Sequence, residues 1–113
     1  MKRILFSIFL IFLMLGTGAW AIPPSSIELN YHPETGVLDV VVHHVTHDLL
    51  KHRIRQITLY KNDQEIDQRQ YIKQTDPESQ VDQFMFNFES GDVIRVKAVC
   101  SKAGYGEESL VIP

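Results

Sequence analysis

The sequence predicts an all-β fold: a β-sandwich or small barrel of about seven strands. Two observations predict it. Apolar and polar residues alternate with period two in several separate runs, as expected of strands with one buried face. Between the runs stand clusters of Gly, Pro, Asn, Asp and Ser that favour turns, spaced by about 8–12 residues. No window after residue 21 carries apolar residues at helical spacing, and there is no internal repeat or low-complexity tract.

The first run is Ile27, Leu29 and Tyr31, alternating with Glu28 and Asn30. His32-Pro33-Glu34-Thr35-Gly36 then forms a turn. Leu38, Val40 and Val42 define a second strand, which Val41 makes apolar on both faces. Ile54, Ile57 and Leu59 define a third, and the odd step from 54 to 57 predicts a β-bulge. Lys61-Asn62-Asp63 is a hairpin turn, and residues 64–71 are a polar strand near a sheet edge. After the Asp76-Pro77-Glu78-Ser79 loop, Phe84, Phe86 and Phe88 form an aromatic stripe, read as core rather than as a ligand platform. Glu89-Ser90-Gly91-Asp92 turns the chain. Ile94, Val96, Ala98 and Cys100 share the next inward face, Gly104-Tyr105-Gly106 is a turn, and Leu110 and Ile112 mark a last short strand.

The 113 residues include 11 Lys and Arg, 14 Asp and Glu, 5 His and one Cys. That length holds one small domain. One Cys excludes an intrachain disulfide framework and a Cys-only zinc site. The net charge of −3 argues against nucleic acid as a partner, because phosphate binding draws on an excess of Lys and Arg.

Residues 1–21 read as a secretory signal peptide: basic Lys2-Arg3, an apolar run from Ile4 to Leu15, and a small-x-small pattern at Ala19-Trp20-Ala21. The apolar run is shorter than the ~20 residues of a transmembrane helix. An uncleaved anchor is the alternative. Cleavage near Ala21 predicts a periplasmic or secreted protein with no stable membrane insertion. The domain is then residues 22–113, with nine basic against 14 acidic residues and a net charge of −5. Its single thiol can be buried and inert, bound to metal, or paired with another chain.

Four of the five His fall between residues 43 and 52. On a strand, His43 and His44 point to opposite faces. His44 and His52 flank a loop and can approach one point, and Cys100 ends an inward-facing stripe. Two imidazoles and a thiolate suit zinc, copper or ferrous iron. A blue-copper site is discarded, because Ser101 to Pro113 contain neither His nor Met. No nucleophile elbow, phosphate-binding loop or HExxH motif is present. The carboxylates form no pair suited to acid/base catalysis.

Two segments together resemble the iron-binding domain of the desulfoferrodoxin and superoxide reductase family. His44-Val45, followed by Lys51-His52-Arg53-Ile54-Arg55-Gln56-Ile57-Thr58-Leu59-Tyr60, resembles H-P-x(n)-E-H-Y-I-x-x-I-x-L. Gly91-Asp92-Val93-Ile94-Arg95-Val96-Lys97-Ala98-Val99-Cys100-Ser101-Lys102-Ala103-Gly104 resembles G-D-x-I-x-V-x-A-x-C-N-x-H-G. The similarity runs over roughly residues 26–112. It implies an immunoglobulin-like, seven-stranded β-sandwich. It also implies a ferrous site of four His and one Cys that reduces superoxide at an open sixth position. His44 and His52 resemble two of the His ligands, and Cys100 the axial thiolate. Ala103 stands where the family has a further His, Val45 replaces the Pro, and the loop is longer. The N-terminal ligand His is replaced by the Pro23-Pro24-Ser25 start. His32 lies at the wrong end of its strand to substitute. His43 and His47 are the candidate replacement ligands.

Two functions follow. One is an exported, desulfoferrodoxin-like metal-binding protein holding iron, or zinc or copper, at His44, His52 and Cys100. Lys51, Arg53 and Arg55 against Asp48 would favour an anion there, and an iron enzyme would need an electron-donating partner. The other is a metal-free immunoglobulin-like interaction module, with a sulfur-oxidation carrier subunit as a variant.

Overall fold

In the computed structural model, residues 26–113 are described, and residues 1–21, which the sequence predicts to be a signal peptide, lie outside them. The described chain is all-β, with seven strands in two antiparallel sheets. The strands are β1 (Ser26–His32), β2 (Val37–His43), β3 (Ile54–Lys61), β4 (Gln64–Gln70), β5 (Ser79–Met85), β6 (Val93–Cys100) and β7 (Tyr105–Val111). One sheet has the order β1-β2-β5 and the other β4-β3-β6-β7.

The alternating pattern accounts for the core. On β2, Leu38, Val40 and Val42 are fully buried, while Val41 points outward beside Val81. They meet Ile54, Ile57 and Leu59 of β3 and Ile94, Val96 and Ala98 of β6 in one cluster with Phe84. Burying Phe84 alone removes an aromatic ring from water, and its truncation to Ala would cost about 3–5 kcal/mol.

The turns follow their residues. Asn62 and Asp63 both take positive φ (49° and 68°), which suits the right-handed twist of the β3–β4 hairpin. Gly36 takes φ 74° and closes the β1–β2 hairpin by donating its N–H to His32 O at 2.8 Å. The register of β3 against β6 shifts between Ile54 and Gln56, where the sequence predicts a bulge. Polar β4 is a sheet edge.

Two elements differ from expectation. The aromatic stripe is not one strand. β5 ends at Met85 because its partner β2 begins at Val37 and turns away at Gly36. Phe86 and Phe88 instead pack against the core beyond the strand, with Phe88 edge-on to Tyr31 at 5.2 Å. The last strand is also longer than expected. It starts at Tyr105, pairing Tyr105 with Val99 and Gly106 with Ala98. Glu107, Glu108 and Ser109 hide it from a hydrophobicity pattern because they lie on an exposed edge.

Candidate metal centre

The site forms where β2 ends, β3 begins and β6 ends. Strand parity sets two of its residues. His44 follows Val42 by two positions, so it faces inward, and it is only 2 % exposed. Its N–H donates to Glu78 O at 2.9 Å, and Thr46 N–H donates to Pro77 O at 2.8 Å, which carries the inward-facing line past the end of β2. Cys100 continues the buried line of Ile94, Val96 and Ala98, and it is 4 % exposed. It lies opposite Ile54 in the ladder.

His52 comes from the loop between β2 and β3. Asp48 shapes that loop: its Oδ1 accepts the N–H groups of Leu50 (3.1 Å) and Lys51 (3.0 Å), and His52 N–H donates to Asp48 O at 2.9 Å. The bonds from Lys51 and Leu50 N–H hold the Asp48 carboxyl below its ordinary range. Ser101 joins this loop to the end of β6. Its Oγ accepts Arg53 N–H at 3.0 Å and donates to Lys51 O at 2.9 Å, and its own N–H donates to Arg53 O at 2.8 Å. His52 is thus bracketed by two residues tied to the neighbour of Cys100.

The ligand atoms of His44, His52 and Cys100 lie within 4.8 Å of one another. The two imidazoles meet edge-on, with centroids 4.8 Å apart and planes at 89°. Desolvation, then the nearby His44 and Lys102, lowers the His52 pKa. Its neutral form, which carries a lone pair for a metal, is therefore favoured near neutral pH.

His44 has one more property. Its Nδ1 pairs with Gln74 Oε1 at 2.9 Å, whereas its Nε2 is buried without a hydrogen-bond partner among the described residues. Such an orphan is rare in a folded interior and calls for an explanation, an ion among them. Two nitrogen donors and one sulfur donor form a borderline-soft set suited to first-row transition metals, so the residues present fit such an ion.

The other His residues stand apart from this group. His43 lies on the outer face, with its Nε2 3.1 Å from Glu28 Oε1. His47 is exposed in the loop. His32 sits at the opposite end of β1, 2.8 Å from Asp39 Oδ2. Sequence reasoning missed Gln74 and Ser101. Gln74 sits in a loop with no motif, and its only signal is a polar side chain that the fold buries to 1 % exposure. Ser101 is signalled only by adjacency to Cys100.

No protein-family model matches the chain, and no curated protein or solved structure matches it.

Proposed function

We propose that this chain is a transition-metal-binding β-domain whose ligands are His44, His52 and Cys100. The observation that carries this reading is the buried, unpartnered Nε2 of His44 within reach of a second imidazole and a thiol. Cys100 would bind as the thiolate, so loading would release a proton. A bound ferrous ion would supply one-electron chemistry, and zinc or copper fit the same donors. Three protein ligands leave coordination positions open to a small exogenous ligand.

The finer reading is a divergent relative of desulfoferrodoxin, exported after cleavage near Ala21. Two features support it: the matching order of the His44–Tyr60 and Gly91–Gly104 segments, and the convergence of the three residues that resemble family ligands. The strand order supports an immunoglobulin-like relationship in which β4 pairs with β3 rather than joining the sheet of β1, β2 and β5. Lys51 and Lys102 beside the His52 loop would draw in an anion, while the Arg53 guanidinium is held by Tyr71 O and Leu50 O.

The test is elemental analysis of anaerobically purified protein, followed by cobalt(II) titration. The expected result is one metal per chain and a thiolate-to-cobalt charge-transfer band that Cys100→Ser abolishes. Protein that is isolated without metal and binds no cobalt would overturn the proposal.

A further inference from the structure

Gln74 lies between β4 and β5, thirty positions from His44, and nothing in its neighbourhood of sequence marks it. It is nevertheless among the most deeply buried side chains. Its amide makes four hydrogen bonds. Nε2 donates to His44 O at 2.7 Å and to Asp76 O at 2.9 Å. Oε1 lies 3.0 Å from Ile54 N and 2.9 Å from His44 Nδ1.

These partners fix which end of the amide is which. His44 O and Asp76 O can only accept, so the NH2 must face them. Ile54 N–H can only donate, so the carbonyl oxygen must face it. A flipped amide would set donor against donor and acceptor against acceptor at three contacts, and at the two buried ones, to His44 O and Ile54 N, each mismatch costs about 1–3 kcal/mol. With Oε1 so placed, it can only accept from His44, and Nδ1 must carry the proton. The neutral ring then has its lone pair on Nε2, the atom buried without a partner.

We propose that Gln74 is a positioning residue for the metal centre: it locks His44 in the Nδ1–H tautomer and aims the Nε2 lone pair at the point shared with His52 and Cys100. The inference rests on the metal-binding reading and adds a residue to it. Gln74 does not touch the ion. It acts through the ring, as outer-shell acceptors do when they hold a ligating imidazole by its far nitrogen. The same side chain ties three segments together at the site: the residue after β2, the first residue of β3 and the loop before β5. Its backbone N–H donates to Leu49 O at 3.0 Å and anchors it to the His52 loop.

Two measurements test this. The first is long-range 1H–15N NMR of the imidazoles in the metal-free wild-type protein. The expected pattern for His44 is a protonated Nδ1 and a bare Nε2; the reverse pattern overturns the inference. The second is cobalt(II) affinity of Gln74→Met, which keeps the length of the side chain and removes the acceptor. The expected loss is about 10–100-fold, with His44 shifting toward a mixture of tautomers. A folded Gln74→Met protein that binds cobalt like wild type overturns the inference. If that variant does not fold, the wild-type tautomer decides. Wild-type protein that binds no cobalt overturns the metal reading instead, and the two failures are told apart by the tautomer measurement.

Discussion

Ser101 fixes the backbone that carries His52, without touching its ring. Its hydroxyl spans Lys51 O and Arg53 N, the two groups on either side of His52, and it is covalently next to Cys100. Ser101→Ala removes both bonds and leaves Arg53 N–H without its side-chain partner. The expected cost is about 1–2 kcal/mol of stability and roughly a tenfold weaker cobalt affinity, in the lower part of the range for outer-shell groups. Urea unfolding and metal titration read the two effects separately. An unchanged affinity beside a lowered stability would assign Ser101 to the fold alone. The ligand candidates were legible in the sequence: Cys100 shares the inward face of Ala98 by strand parity, and His44 and His52 flank one loop. Gln74 and Ser101 were not legible. Their roles depend on hydrogen bonds between loops distant in sequence, and such bonds leave no periodic trace.

The sandwich has an open side where β4, an edge of one sheet, passes β5, an edge of the other. Three side chains close it. Arg69 Nη1 donates to Asp82 Oδ1 at 2.9 Å, its guanidinium lies 4.2 Å from the Phe84 ring centre, and the Tyr71 hydroxyl donates to Asp82 Oδ2. The Arg69–Asp82 pair is partly exposed and worth little alone. The tyrosine bond is more sheltered, so Tyr71→Phe should cost about 1.5–3 kcal/mol, as for a bond to a charged acceptor. Burial and the adjacent Asp82 carboxylate push the Tyr71 pKa far above its ordinary value of 10.0. The sign follows: the folded pKa exceeds the unfolded one, so this contribution is present below about pH 10 and is lost as pH rises past it. The stability gap between wild type and Tyr71→Phe should therefore shrink between pH 8 and pH 11 in urea unfolding; a constant gap would remove Tyr71 from the clasp. Elements were legible where apolar alternation or turn chemistry was strong, as in β2, β3 and the Asn62-Asp63 hairpin. The start of β7 was not, because an edge strand needs no buried face at Glu107 and Glu108.

At the scale of the whole molecule, carboxylates hold turns at both ends of the sandwich, and the proposed metal bears on the site end alone. Asp39, Asp48, Asp76 and Asp92 all have pKa values lowered from 3.8 by hydrogen bonds, led respectively by His32, Lys51 N–H, Glu78 N–H and Glu89 N–H. A lowered carboxylate stabilises the fold above its unfolded pKa, and that contribution disappears as pH falls through the folded value. Unfolding should thus become easier below about pH 4, with Asp48 and Asp76 releasing the two loops that carry His52 and Gln74; circular dichroism against pH checks this, and a stability flat down to pH 2 contradicts it. Metal acts in the opposite sense. His44 and His52 flank one loop, but Cys100 lies far from both in the chain, and the unfolded state cannot hold the thiolate against the two imidazoles cheaply, so an ion binds the folded state in preference. At a free metal concentration of about 100 times Kd, linkage adds about 2.7 kcal/mol. For a domain of this size each kcal/mol shifts Tm by about 4–8 °C, so zinc or cobalt should raise Tm by roughly 10–20 °C and a chelator should return it. Cys100→Ser should keep the fold, since the change is nearly isosteric, and should lose most of that shift. An equal shift in Cys100→Ser would place the ion somewhere other than the point where β2, β3 and β6 converge.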